Sequence, residues 1–483
     1  MKSIELPPFA PSLIQSLRAV GYTTPAALAD LIDNSIAASS RHVAIRFRAQ
    51  SDPYVAVIDD GEGMDAAALL AAMRFGSRDP REVRTGLDLG RFGLGLKTAS
   101  LSQGRRLTVA SLRSGTLSIA AWDVDSCERQ GGWWLERPGA DAIPAEVLEL
   151  LTGQQSGTAV IWQHLDRLTA TGGLSPARAI EIAMDESADH LAMVFHRFLA
   201  GEIGFAFDIA INGRSLPRLN PFLEGHARGQ ALHSETFRIE GWPVTVSPFV
   251  LPFPSRLKPA ELDRAGGRDS LRGSHGFYVY RGGRLVVSGG WFRIVPSDEL
   301  IRLARVRVDV PVELDHLWKV DIRKTIAEPP AALRPHLKRI VGDVTLRSRR
   351  VYTHKGSPKT EAERVPLWQR HELREGAAAW KVNREHPVVM ALAAAGSVQE
   401  KLLHLLEESL PIHDIHLHVA NDLPVCGESG VTEVDLEQLA QRMVDAFRDR
   451  PDMMQRILER LPSTDPFNRD PQMTRRIMER LHR

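Results

Sequence analysis

Residues 24–65 read TPAALADLIDNSIAASSRHVAIRFRAQSDPYVAVIDDGEGMD, and the reading of this stretch decides the fold. Thr24 followed by Pro25 fits a helix entry, where Thr caps and Pro occupies the first helical position. Leu28, Leu31, Ile32 and Ile36 recur near helical spacing, so a helix is expected through about Ser39. Asp30 and Asn34 lie four residues apart and share one face of it. HVAIRF at 42–47 alternates as a strand does, and YVAVI at 54–58 is a second β run. GEGMD at 61–65 is then a Gly-rich turn before an Ala-rich helix, AAALLAAMRF.

Outward from this stretch, residues 76–95 are rich in Gly and Arg and carry no period, the pattern of a long loop leading into a helix. RRLTVASL, TLSIAAW and TAVIWQHL follow as strands. A layered domain with one sheet and helices packed on it is expected over roughly 1–165. ARAIEIAMDESADHLAMVFHRFL bridges to a second α/β region, in which FAFDIAING, HGFYVYRGGRLVV and RVRVDVPVEL are strand-like. Gly282 and Gly283 fit a hairpin turn there. The polar stretch THKGSPKT at 353–360 reads as a linker to a mainly helical remainder. Three regions are expected: 1–170, 171–345 and 346–483.

The 483 residues carry 61 Lys and Arg against 60 Asp and Glu, a net charge of +1, with 43% hydrophobic residues. This balance argues against wholesale disorder. No apolar run approaches the ~20 residues of a membrane span, and the start lacks a signal-peptide pattern. Two cysteines, Cys127 and Cys426, support neither a disulfide scaffold nor a metal cluster, so a cytoplasmic protein is expected.

Two motifs are near misses. GRFGLGLKT at 90–98 differs from a P-loop because Leu96 separates Gly95 from Lys97. GEGMDA at 61–66 resembles a dinucleotide fingerprint, but Asp59 and Asp60 directly before it would repel a pyrophosphate. An adenine nucleotide can be held another way. The adenine amino group needs an acceptor, which Asp59 at a strand end can be, and Gly61 and Gly63 allow close approach. The triphosphate needs amides and a cation, which Gly90, Gly93, Gly95 and Lys97 before a short helix can supply. Magnesium needs hard oxygen ligands, for which the Asn34 carbonyl is a candidate. Hydrolysis needs a carboxylate to activate water, and Asp30 is placed for it.

These four stretches resemble, in order, the signatures of the GHKL ATPase superfamily of gyrase, the large heat-shock chaperone, histidine kinases and the mismatch-repair protein MutL. ALADLIDNSIAA is similar to the helix that carries the base and the magnesium-binding Asn. VIDDGEGMD is similar to the adenine-binding turn with Asp59, Gly61, Gly63 and Met64. GLDLGRFGLGLKTAS resembles the ATP lid, with Gly90, Arg91, Phe92, Gly93, Leu94, Gly95 and Lys97. GTAVIW resembles the later Gly-Thr strand, whose Thr158 would support Asp59 through its hydroxyl. GLGLKTAS is similar to the microrchidia (MORC) ATPases, the second region resembles the transducer domain shared by MORC, MutL and the chaperone, and the chain is most similar to prokaryotic MORC-like or MutL-like ATPases. KVDIRKT at 319–325 resembles the strand-loop that brings a basic residue to the terminal phosphate, with Lys324 in the matching place.

The resemblance implies an α+β chain: a Bergerat-type two-layer α/β sandwich, a transducer-type α/β domain and a mainly helical C-terminal region. It implies ATP and Mg2+ as cofactors and a homodimer on ATP binding. The family base is usually Glu; here it is Asp30, one methylene shorter, so slow hydrolysis or a non-hydrolysing switch is expected. Residues 334–360 hold eight Lys or Arg against Asp343 alone, a local charge of +7. This stretch is a candidate contact for duplex DNA. The expected activity is therefore an ATP-gated DNA clamp, in bacterial defence or DNA repair. The alternative is a protein-remodelling chaperone, with partners bound by the helical C-terminal region. HDIHLH at 413–418 would put His416 and His418 on one strand face, but no second cluster accompanies them, and solvated histidines are the expectation.

Overall fold

The computed structural model of the chain describes residues 8–19, 21–76, 95–169, 173–267, 273–296, 299–318, 329–353, 367–372, 378–393, 433–448, 451–464, 467 and 471–481. The expectations for Gly90, Arg91, Phe92, Gly93, Leu94, Lys324 and the histidines at 413–418 lie outside these residues. The chain divides into two units, 1–353 and 354–483.

In the first unit, helices α1 (Ala10–Arg18) and α2 (Thr24–Ala37) precede strands β1 (His42–Arg48) and β2 (Tyr54–Asp59). The α2 cap is Thr23, one residue earlier than the sequence suggests, and its side chain accepts from the Ala26 N–H. Then come α3 (Ala66–Met73), α4 (Gly95–Leu101), β3 (Arg106–Arg113), β4 (Thr116–Asp123), α5 (Val124–Gln130), β5 (Leu135–Glu136), α6 (Ala145–Thr152) and β6 (Gly157–Gln163). Two helices, α7 (Pro176–Val194) and α8 (His196–Leu199), lead to β7 (Asp208–Ile211) and β8 (Arg214–Ser215). The strands form one sheet in the order β5-β4-β3-β6-β2-β1-β7-β8. Among the described strands of this sheet, only the β1–β7 pair is parallel.

Both faces of this sheet are covered, which explains why YVAVID reads as a continuous apolar run. Val55 and Val57 face the main helical layer with Leu28, Ile32 and Trp162. Tyr54, Ala56 and Ile58 face Val147 and Leu151 of α6 on the other side. Arg18, buried on α1, donates to the Leu101 carbonyl at 2.8 Å and to both Asp166 oxygens at 2.6 and 2.7 Å, tying α1 to the end of α4.

The boundary expected at 170 falls before two strands of the same sheet. FAFDIAING belongs here because β7 pairs with the free edge of β1, and Asn212 clamps the register. The Asn212 side chain accepts from the Phe47 N–H at 3.0 Å and donates to the Phe47 carbonyl at 3.1 Å.

The second sheet contains β9 (Gln230–Ala231), β10 (Glu235–Ile239), β11 (Trp242–Val250), β12 (Gly276–Arg281), β13 (Arg284–Ser288) and β14 (Ala304–Val310), ordered β10-β11-β14-β12-β13 with β9 beside β11. One face packs on the long helix Arg334–Thr353 through Leu337, Ile340, Val341 and Val344. The other carries Phe249, Tyr278 and Tyr280, which pack with Phe222 from the preceding turn and with Met193 of α7. The second unit holds a hairpin, Trp368–Glu372 with Ala378–Val382, and the helices Pro387–Ala393, Glu433–Ala446, Pro451–Arg460 and Pro471–Leu481. Leu436, Met443, Phe447, Leu461, Phe467 and Ile477 form its core. No described helix is long and apolar enough to cross a membrane.

The Asn212 clamp gives a stability test. Asn212 sits at φ +44°, a conformation Asn tolerates better than Ala. Asn212→Ala is expected to destabilise the chain by about 1–2 kcal/mol in urea unfolding, because two hydrogen bonds disappear and the backbone is strained. Unchanged stability would mean that β7 does not depend on this clamp.

Candidate functional site

Helix α2 is buried at ten of its fourteen positions, yet it carries four polar residues between 30 and 35. Ser35 faces the sheet: its hydroxyl donates to Asp59 Oδ2 at 2.9 Å. Asp59 ends β2, and its Oδ1 accepts the Gly61 N–H at 3.0 Å. A further hydrogen bond comes from the Thr158 main chain on the paired strand β6. Burial pushes the Asp59 carboxyl up to about 6, against the opposing pull of these three donors. A carboxylate can accept about four hydrogen bonds, so three protein donors leave room for one more, the need of an adenine amino group.

The glycines are demanded by contact. A side chain on Gly61 would meet the Ala38 carbonyl oxygen at 2.7 Å. Gly63, at φ +65°, would meet the Leu112 carbonyl oxygen at 2.1 Å. Met64 follows, its N–H donating to Ser111 Oγ at 2.7 Å. The Thr158 hydroxyl pairs with that same Ser111 Oγ at 2.8 Å. Support of Asp59 by Thr158 therefore runs through the main chain, and the hydroxyl instead ties down the turn after Asp59. Asp60 turns away, accepting from Ser40 and from the Arg41 and His42 N–H groups, which hold its carboxyl down at about 2.

Asp30, one turn before Asn34, is buried and accepts the Tyr22 hydroxyl on Oδ2 at 2.9 Å. The start of α4 lies against it: a methyl group on Gly95 would stand 3.5 Å from Asp30 Oδ2. Gly95 and the candidate base are thus adjacent. Asn34 is exposed, and among the described residues no protein group takes its side-chain amide. No group of three or more His, Cys, Asp or Glu that could hold a metal exists among the described residues. A single amide oxygen still suits Mg2+, which keeps waters and takes substrate phosphates as ligands.

Lys97, the expected phosphate cation, lies in the first turn of α4. It is buried, and its ammonium donates to the Ala72 carbonyl at 2.9 Å in the last turn of α3, 6.0 Å from the Phe75 ring centroid. A cation there complements the negative end of the helix. Sequence reasoning missed Tyr22, Ser35 and Ser111. Ser35 alone carries a signal, as a polar residue on an otherwise apolar helix next to Asn34.

Residues 22–158 match the family described as Histidine kinase-, DNA gyrase B-, and HSP90-like ATPase. Comparison with curated proteins finds no match. A GHKL-type ATPase domain is therefore present, and the match begins at Tyr22 and ends at Thr158, spanning the constellation above.

The state of Asp59 predicts a trade between binding and stability. Its folded value lies above the ordinary 3.8, so between about 4 and 6 the folded chain holds a proton that the unfolded chain has lost. The stability this proton confers is lost as pH rises through about 6, an effect on the order of 2–3 kcal/mol. Asp59→Asn is expected to abolish ATP binding in calorimetry while Tm at pH 7.5 does not fall. In the unmodified chain, ATP affinity weakens as pH falls through about 6. Retained affinity in Asp59→Asn would remove Asp59 from the site.

Proposed function

We propose that the chain is a Mg-ATP-dependent ATPase that operates as an ATP-gated dimeric clamp on DNA, related in action to MORC-like and MutL-like ATPases. The observation that carries the ATPase reading is the pair of buried carboxylates served by one helix. Asp59 is held by Ser35 as an adenine acceptor, and Asp30 lies against the start of α4.

In this reading the adenine amino group donates to Asp59, and Gly61 and Gly63 let the ring lie on the backbone. Asn34 would hold Mg2+, which when bound neutralises phosphate charge. Asp30, with Oδ2 fixed by Tyr22, orients a water and takes its proton as that water attacks the terminal phosphorus, whose bond to the bridging oxygen breaks to release ADP and inorganic phosphate. Lys324, expected from KVDIRKT, supplies positive charge at the terminal phosphate, and the loop at 76–95 covers the nucleotide. The second sheet acts as a transducer, the helical C-terminal region binds partners, and the chain works in the cytoplasm.

The DNA reading rests on the helix Arg334–Thr353. Its apolar face is buried in the second sheet, while Arg334, Lys338, Arg347 and Arg349 stand exposed on the outside. Arg339 is also exposed and pairs with Glu235. A second reading, a switch that binds ATP without turning it over, is favoured by the short Asp30 side chain and its bond to Tyr22.

Asp30→Asn is expected to lower turnover by ~10²–10⁴ while leaving ATP binding intact, because a general base is removed and the adenine contacts stay. Equal turnover in variant and parent would exclude Asp30. Duplex DNA is expected to stimulate ATP hydrolysis. Lys338→Glu with Arg347→Glu should weaken DNA binding and reduce the salt slope by about 2, since each phosphate that is no longer neutralised accounts for about 0.9. Unaltered, salt-independent binding would move the DNA site elsewhere.

A further inference from the structure

The hairpin between β12 and β13 reads RGGR, and its two arginines are buried. Arg284 reaches the nucleotide domain: its Nε lies 2.8 Å from Asp33 Oδ1, with the two side chains 4% and 1% exposed. The approach is oblique, an ion contact without the alignment of a hydrogen bond at Nε. Asp33 sits between Asp30 and Asn34 on α2. Arg281, at the other end of the turn, holds Asp315 through two bonds of 2.6 Å. The Gly282 N–H donates to the Val310 carbonyl at the end of β14.

The turn has little freedom. Gly283 has φ +84°, and a Cβ there would stand 2.4 Å from Ile203 Cδ1. The Arg284 guanidinium lies 5.8 Å from the Phe195 ring centroid, and its charge adds to burial in holding the nearby His190 imidazole down at about 4. His190 is therefore neutral at physiological pH and does not compete for Asp33. Arg284 thus brings a cation to Asp33 from the second sheet, on a turn clamped to β14 and Asp315.

A buried ion pair is weak as a stabiliser, because both charges lose their water, and its best-attested use is to fix one geometry. We propose that Arg284 is a positioning residue for the nucleotide site: through Asp33 it sets the register of α2, and so the placement of Asp30 and Asn34. The same contact carries a displacement of α2 on nucleotide binding into the RGGR turn and β14. The inference rests on the assignment of α2 to the nucleotide site.

The test uses the full chain with Arg284→Met, Arg284→Lys and the double variant Asp33→Asn/Arg284→Met. Arg284→Met is expected to lower kcat at least tenfold, with the affinity for a non-hydrolysable ATP analogue within twofold. Arg284→Lys should recover part of kcat. The double variant removes both charges of the pair, so its Tm returns toward the parent value while kcat stays low. Recovery of kcat together with Tm would make the pair merely structural and overturn the proposal. Hydrogen exchange gives a readout independent of turnover. Analogue binding should change exchange across 281–288 in the parent and not in the double variant. The same change in both overturns the coupling alone, whereas a parent chain that binds no analogue overturns the nucleotide assignment and this inference together.

Discussion

Helix α2 is a buried helix that carries four polar residues in succession or nearly so, and the rest of the nucleotide domain is arranged around that constraint. A polar group removed from water must find a partner or destabilise the fold. Asp30 is met by Tyr22, Asp33 by Arg284 and Ser35 by Asp59. These partners come from the segment before α2, from the second sheet and from the neighbouring strand. Asn34 alone points outward. These contacts fix the helix in rotation, and the residue left exposed is the one suited to an external ligand.

Asp59 has the opposite balance. Its surroundings favour the protonated acid, yet an acceptor for an adenine amino group is best ionised. Three donors from Ser35, Gly61 and Thr158 hold the carboxyl near the middle of the range instead of far above it. The Ser111 hydroxyl joins Met64 to the Thr158 hydroxyl, so the backbone after Asp59 cannot drift away from β6. Under the proposed reading, Asp59 gives up some stability to keep a usable charge in an apolar place.

Local pattern makes much of this legible. The 3.6-residue period places α2, alternation and apolar runs place β1 and β2, and the glycines after Asp59 mark a close approach that the carbonyls of Ala38 and Leu112 explain. What stays hidden depends on partners distant along the chain. Nothing near Tyr22 says that its hydroxyl ends on Asp30, and nothing near Arg284 points to Asp33, 251 positions away. FAFDIAING reads as a strand, but its sheet depends on which edge is vacant, and that is a tertiary fact. Lys97 looks like a phosphate ligand because it follows a glycine-rich loop, while the carbonyl of Ala72 sits within its reach in the fold.

Net charge shows the same limit of averages. A total of +1 argues against a polyanionic partner only if charge is spread evenly, and here it is not. The helix Arg334–Thr353 buries Leu337, Ile340, Val341 and Val344 against the second sheet and leaves Arg334, Lys338, Arg347 and Arg349 exposed. Amphipathicity thus sorts charge in space as well as apolar surface. The helix covers the face of the second sheet opposite the aromatic side that meets α7. A movement of the RGGR turn relayed through β14 would therefore reach the base of the basic face, because β14 packs directly under this helix.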